Sequence, residues 1–102
     1  MHILSYPKIK NFGKLHPNAL SPLNSWYKIV SKTNYKSFNQ LRQTFPSADQ
    51  VERCTVFNIG GNKFRLISAI HYNRNKIYIR HILTHAEYDK SIWKNECKQR
   101  SN

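Results

Sequence analysis

The spacing of the hydrophobic positions changes near the middle of the chain, which divides it into a helical half and a strand half. In the first half, apolar residues recur at the spacing of one helix face, at Leu23, Trp26, Tyr27 and Val30. Ser21 followed by Pro22 is typical of an N-cap and the first helical position. We therefore expect an amphipathic helix that begins at this pair.

Shorter elements are predicted on both sides of this helix. Ile3–Leu4 suggests a short first strand. A brief helix is indicated by Ile9 and Phe12. Gly13 and Pro17 should limit that helix. Further along, helical spacing returns at Phe38, Leu41 and Phe45. We expect this last helix to follow Ser37 and to stop at Pro46.

From Thr55 the hydrophobic period becomes two, as in strands. Three strands are predicted, with the sequences TVFNI, NKFRLISAIHY and NKIYIRHIL. If Gly60-Gly61 and Asn73-Arg74 form two-residue hairpins, the register follows. The resulting pairs are Asn58 with Lys63, Phe57 with Phe64, Ile70 with Ile77, and Ile67 with Arg80. The prediction is an α+β fold, with one domain over residues 1–102: a small antiparallel sheet, the C-terminal meander, with helices from the N-terminal half on one face.

The two faces of the predicted sheet differ in character. One is apolar and should be covered by the helices; it holds Phe57, Ile59, Phe64, Leu66, Ile70, Ile77, Ile79 and Leu83. The other is basic and aromatic, and should meet water or a ligand. It holds Asn58, Lys63, Arg65, His71, Lys76, Tyr78 and Arg80, with Val56, Ile67, Ala69 and Ile82 interleaved.

Charge narrows the possible partners of the basic face. The chain has 17 Lys and Arg against 5 Asp and Glu, a formal net charge of +12 and an isoelectric point near 10.1. Nucleic acid, an acidic protein or an anionic membrane surface could neutralise this charge, and a simply solvated surface is the alternative. The N-terminus lacks a secretory apolar segment and no run reaches membrane-spanning length, so a cytoplasmic protein is expected.

The cysteines and histidines do not suggest a metal centre. Cys54 and Cys97 lack the C-x-x-C spacing and are interpreted as ordinary thiols. In the expected register His81 points into the core face, away from His71 and His85, and the few acidic residues are scattered. We therefore expect neither a metal nor another cofactor.

A candidate phosphate site lies at one end of the basic face. Arg65 and Arg80 should be diagonal neighbours on adjacent strands, an arrangement of like charges that favours an anion between them. Lys63 should lie nearby. After the last strand, THAE fits the capping-box pattern, so a helix should begin at the sheet's end with free amides suited to phosphate. His85 and Tyr88 on this helix can transfer protons.

Four segments, in order, carry a family resemblance: FPSADQ, VFNIGGNKFRLI, YIR and THAEYD. With this spacing, from about Phe45 to Asp89, the chain resembles the HigB-type toxins of bacterial toxin-antitoxin modules, within the RelE-like superfamily. The resemblance implies an mRNA interferase, an endoribonuclease that cuts messenger RNA on the translating ribosome. It also implies a HigA-like helix-turn-helix antitoxin as partner, with DNA reached only through that antitoxin.

Carried onto this sequence, the superfamily's plan assigns catalysis to Lys63, Arg65, Arg80, His85 and Tyr88. We expect Asn58, Lys76, Tyr78 and Asp89 to contact RNA. Cleavage without a metal, by attack of the RNA's own 2′-hydroxyl, needs a base, an acid and cations on the phosphate. Which of His85 and Tyr88 is the acid stays open. The alternatives are a non-catalytic RNA- or ribosome-binding module, a basic protein that only binds an acidic partner, and a ParE-like toxin directed at gyrase.

Overall fold

The computed structural model describes residues 1–98, and a five-stranded sheet forms its centre. The strands are β1 (His2–Leu4), β2 (Asp49–Val51), β3 (Cys54–Ile59), β4 (Phe64–His71) and β5 (Lys76–Thr84). They lie in the order β1-β5-β4-β3-β2. Strands β3, β4 and β5 form the antiparallel meander that we expected, and β2 extends it as a strand that we did not predict. Strand β1 pairs in parallel with β5 and makes the sheet mixed. The α+β prediction is confirmed.

The helices come mostly from the N-terminal half, and the first four follow the predicted order, whereas the fifth was not predicted. They are α1 (Tyr6–Leu15), α2 (Pro17–Ser31), α3 (Phe38–Thr44), α4 (His85–Asp89) and α5 (Lys94–Cys97). Four residues of α2 at helical spacing are buried, namely Ala19, Leu23, Trp26 and Val30. They pack with Phe57 and Leu66 in the main core, which lies on one face of the sheet.

The expected start of α2 at Ser21 is wrong. The helix begins at Pro17, and Pro22 lies inside its second turn. Pro17 satisfies the same preference for proline at the first helical position that we assigned to Pro22. Pro22 costs one intrahelical hydrogen bond, but the first turn of α2 still buries Ala19 against the core.

Helix α1 also extends further than expected, because Gly13 does not end it. An added Cβ at Gly13 would stand 2.8 Å from Leu20 Cδ1 on α2. The glycine therefore permits close contact between the two helices rather than marking a boundary. The prediction for α3 is confirmed: Ser37 is its N-cap and accepts a hydrogen bond from the Gln40 amide.

The first hairpin of the meander turns one residue later than we expected, because the Lys63 amide donates to the Gly60 carbonyl oxygen and the turn is centred on Gly61 and Asn62. Strand β3 ends at Ile59 and β4 begins at Phe64, with Gly60 and Gly61 at φ values of 62° and 70°. Asn58 consequently pairs with Arg65, and Phe57 pairs with Leu66. The register is shifted by two residues, so every side chain of β4 keeps its expected face.

A β-bulge in β5 changes the faces after Arg80. Ile70 pairs with Ile77 as expected, but Ile67 pairs with His81 and Ser68 with Ile79, so Arg80 is an extra residue. An extra residue reverses the side-chain alternation beyond it. Three side chains therefore lie on the face opposite to the predicted one: Ile82 packs in the main core, and Leu83 and His81 lie on the other face of the sheet.

The opposite face of the sheet is partly covered, contrary to the expectation of an open surface. Trp93 and Cys97 pack on Val56 and Ile67 and form a second hydrophobic cluster. Cys54 and Cys97 form a disulfide across 43 residues of sequence, so their interpretation as ordinary thiols is wrong. None of the helices within residues 1–98 combines the length and the hydrophobicity that a membrane-spanning segment needs.

Candidate active site

Arg65 is the most enclosed of the predicted site residues. It lies on β4, on the partly covered face of the sheet, and only 9% of its surface is exposed. Its guanidinium carbon is 5.2 Å from the centre of the Tyr88 ring, and Nη1 donates to the Phe64 carbonyl oxygen at 3.1 Å. The only ion pairs within residues 1–98 involve histidines, so no carboxylate neutralises Arg65 there. A partly buried arginine without a carboxylate is suited to an anionic ligand.

The capping box at the start of α4 is confirmed. Thr84 Oγ1 accepts from the Glu87 amide at 3.2 Å, and the Glu87 carboxylate accepts from the Thr84 amide at 2.9 Å. This backbone hydrogen bond holds the pKa of Glu87 below its usual value. The His85 amide donates to the Lys63 carbonyl oxygen. These amides are thus already used, and the expectation that they are free for phosphate is wrong.

His85 and Lys63 meet where the β3–β4 turn touches α4. The hydrogen bond from the His85 amide to the Lys63 carbonyl is 3.2 Å long. One helical turn later, Asp89 Oδ2 lies 3.1 Å from His85 Nδ1. A proton on Nδ1, donated to this carboxylate, leaves Nε2 as an acceptor on an exposed ring. Asp89, expected to contact RNA, is placed to orient the histidine.

Tyr88 connects Arg65 to the C-terminal segment. Its ring stacks on Trp93 with centroids 4.9 Å apart and an interplanar angle of 15°. Burial raises the pKa of the Tyr88 hydroxyl, Arg65 lowers it, and Asp49 and Asp89 raise it further. The hydroxyl therefore stays protonated well above neutral pH, which suits a proton donor. Helix α4 ends soon after Tyr88, because the chain turns at Ser91, with a φ of 61°.

Arg80 is not the diagonal neighbour of Arg65 that we expected. Arg65 pairs with Leu83, so its diagonal neighbour on β5 is His81, and Arg80 is the extra residue of the bulge. Arg80 instead lines a groove of about 430 Å³ on the same side of the sheet as the disulfide. The groove is also lined by Gln50, Glu52, Arg53, Ala69, His71 and Glu96. The two arginines thus do not form a single clamp.

The remaining predicted RNA contacts are divided between the two ends of the sheet. Asn58 pairs with Arg65 and belongs with the residues around His85. Lys76 and Tyr78 lie at the opposite end of β5, where β1 pairs with it. At about 3.3 Å per residue, Tyr78 lies roughly 20 Å from the end of β5. Tyr78 packs edge-on against His71 there.

Several residues near the site were missed by sequence reasoning. Trp93 was not among the predicted site residues, yet it stacks on Tyr88. His81 hydrogen-bonds Glu96 at 2.7 Å instead of pointing into the core. An even number of cysteines was the one signal for the disulfide. Within residues 1–98, no three His, Cys, Asp or Glu side chains are grouped so that they could hold a metal ion.

Comparison with known proteins assigns the family. Residues 19–91 match the family model of HigB toxins, described as the RelE-like toxic component of a toxin-antitoxin system. The chain belongs to the HigB toxin family. Relatives include mRNA interferase HigB of Escherichia coli O6:H1 (strain CFT073), 31% identical over 93 residues that cover 88% of this chain and 90% of that protein. The mRNA interferase toxin HigB of Escherichia coli strain K12 is 30% identical over 92 residues, covering 87% and 88%.

The HigB match includes some parts of the site and leaves out others. Lys63, Arg65, His85 and Tyr88 lie within residues 19–91. Trp93 and Cys97 follow the last matched residue. The family model thus covers the groups suited to phosphate and proton transfer, while the segment stacked on Tyr88 lies beyond it.

Proposed function

We propose that the protein is an mRNA endoribonuclease that cuts messenger RNA on the translating ribosome. The observation that carries this proposal is the meeting of Lys63, Arg65, His85 and Tyr88 at one end of the sheet. Relatives at 30–31% identity are named mRNA interferases, which supports the same activity. The groups are those that phosphodiester cleavage requires: a base, an acid and cations.

Arg65 is assigned to the phosphate. In attack by the 2′-hydroxyl, negative charge accumulates on the non-bridging oxygens of the phosphorus, and a fixed cation stabilises it. Arg65 is held by the Tyr88 ring and the Phe64 carbonyl, so it needs little reorganisation to meet that charge. The exposed Lys63 can provide a second cation from the adjoining turn. Arg80 and Arg53, in the groove, are assigned to RNA binding rather than to the reacting phosphate.

The proton-transfer roles follow from the surroundings of the two side chains. His85 Nδ1 faces Asp89, so Nε2 can accept the proton of the 2′-hydroxyl. Tyr88 has a raised pKa because of burial, so it keeps its proton and can donate it to the leaving 5′-oxygen. The expected products are a 2′,3′-cyclic or 3′-phosphate and a 5′-hydroxyl.

The partner that neutralises this HigB-family toxin is proposed to be an acidic, HigA-like helix-turn-helix antitoxin. The net charge of +12 favours an acidic surface and rapid, salt-sensitive association. The same charge would attract ribosomal RNA through sequence-independent phosphate contacts.

The test is to map cuts in messenger RNA by primer extension after brief induction, with translation active and with translation blocked. We expect cuts only during translation, with 5′-hydroxyl ends. His85→Ala and Tyr88→Phe should bind ribosomes and cut about a hundredfold to ten-thousandfold more slowly in single-turnover assays. Lys10→Ala, on the exposed side of α1, is the matched control. Absence of cuts from intact protein, with arrest of gyrase instead, would contradict the proposal.

A further inference from the structure

A continuous set of contacts links Trp93 to the phosphate-binding arginine. The Trp93 ring stacks on the Tyr88 ring, and Trp93 Nε1 donates to the Tyr88 carbonyl oxygen at 2.9 Å. The Tyr88 ring in turn contacts the Arg65 guanidinium, whose carbon lies 5.2 Å from the ring centre. Trp93 is itself 5% exposed and packs on Val56 and Ile67 of the sheet.

We propose that Trp93 is a positioning residue for RNA cleavage: it fixes Tyr88 over Arg65 and is held there by the Cys54–Cys97 disulfide. This inference rests on the proposed function. It adds a residue outside the family match, whose residues end at position 91. It also assigns a role to the disulfide, which otherwise has none in the proposed reaction.

Tyr88 needs such support because its own helix is short. Helix α4 has five residues, and the chain turns sharply after it at Ser91. A five-residue helix has few internal hydrogen bonds, so packing must hold its side chains in place. The Trp93 contacts bind both the ring and the backbone of Tyr88. Without them, the ring that contacts Arg65 would be free to change rotamer.

The disulfide holds the far end of this segment to the sheet. Cys97 is joined to Cys54 on β3, and the Arg53 amide donates to the Cys97 carbonyl oxygen at 3.0 Å. Helix α5, between Trp93 and this anchor, has only four residues. Trp93 thus lies four residues before a covalent bond, and breaking that bond removes the covalent link between the segment and the sheet.

The first test separates positioning from binding. Single-turnover cleavage on programmed ribosomes is measured over a range of protein concentration for Trp93→Leu. We expect the saturating rate to fall about tenfold to a hundredfold, because small misplacements of catalytic groups have effects of that size. The half-saturating concentration should change by less than threefold. Ile92→Ala is the matched control, since Ile92 adjoins Trp93 in sequence and is 71% exposed.

The second test does not depend on cleavage. The titration of Tyr88 is followed by carbon-13 NMR of labelled tyrosine, with Tyr88→Phe to assign the signal. Burial is the main cause of the raised pKa, and Arg65, Asp49 and Asp89 also face the hydroxyl. Loss of the Trp93 ring should therefore lower the pKa of Tyr88. Trp93→Phe keeps a ring but loses the Nε1 hydrogen bond, so the pKa of Tyr88 should change less in this variant. Trp93→Phe also replaces Trp93→Leu in the comparison if Trp93→Leu does not fold.

The outcomes distinguish the two proposals. If the intact protein does not cut RNA, the proposed function fails, while the Tyr88 titration still decides whether Trp93 positions that residue. A folded Trp93→Leu protein with an unchanged saturating rate and an unchanged Tyr88 titration would overturn the inference. A Cys97→Ser protein with wild-type cleavage and a wild-type Tyr88 titration would overturn the proposed role of the disulfide.

Discussion

Reducing the Cys54–Cys97 disulfide should strongly destabilise the protein. The bond joins β3 to α5 across 43 residues, and both cysteines are buried in the second hydrophobic cluster. In the chain-entropy description, a crosslink that closes a loop of this length stabilises the folded state by about 4 kcal/mol. Because small domains have unfolding free energies of about 5–15 kcal/mol, reduction would remove a large share of the stability.

Reduction measures this contribution more cleanly than substitution does. Buried cysteine thiols still pack as small apolar groups beside Val56 and Ile67, whereas a serine would bury a hydroxyl at an added cost of about 1–3 kcal/mol. The assay is equilibrium unfolding in urea, followed by tryptophan fluorescence, with and without a phosphine reductant. With a urea dependence of about 1–3 kcal/mol per molar, the midpoint should fall by at least about 1 M.

Two results would refute this reasoning. Native protein that reacts with two equivalents of a thiol reagent in the absence of reductant would show that the bond does not form. Equal urea midpoints with and without reductant, in protein shown to carry the disulfide, would show that loop closure contributes nothing. A Cys54→Ala, Cys97→Ala protein, unchanged by reductant, is the control for effects of the reductant itself.

Three further predictions follow from the site. Thr84→Ala should lower the unfolding free energy by about 1 kcal/mol, measured by urea unfolding, because the α4 cap is lost. The pKa of Glu87 is lowered in the folded state, so its carboxylate stabilises the fold at pH values above its usual pKa near 4.5, and this stabilisation is lost as the pH falls through the pKa of the folded state. The difference in unfolding free energy between wild type and Glu87→Gln, measured by urea unfolding, should therefore shrink in acid. Arg65→Lys should fold, bind ribosomes and cut much more slowly, since lysine lacks the planar contact with Tyr88.

The parts of the fold that were predicted correctly depend on short-range patterns. The capping box at Thr84 needs two side chains three residues apart, so the sequence alone specifies it. The Ser37 cap is of the same kind. The strands of the meander were found because each has a period of two over several residues. The register of Ile70 with Ile77 was confirmed because the turn beside it is centred on Asn73 and Arg74, where we expected it.

The parts that were missed depend on contacts between distant residues. The bulge at Arg80 leaves the hydrophobic pattern of β5 ambiguous, because Ile79, Ile82 and Leu83 fit either alternation. The choice is made by packing: Ile82 contacts the main core and Leu83 the second cluster. That second cluster exists only because the C-terminal segment folds back on the sheet. Nothing in the local sequence around Trp93 predicts that return.

These long-range contacts bear directly on how the site forms. Lys63 belongs to the β3–β4 turn, Arg65 to β4, and His85 with Tyr88 to α4, so three parts of the chain must be in place together. The His85–Lys63 hydrogen bond joins the first and the third, and Trp93 joins the third to the sheet. A site assembled in this way should be absent from partly folded chains that lack either contact. Loss of the Trp93 contact should therefore impair cleavage before it unfolds the main core, whose residues lie on the other face.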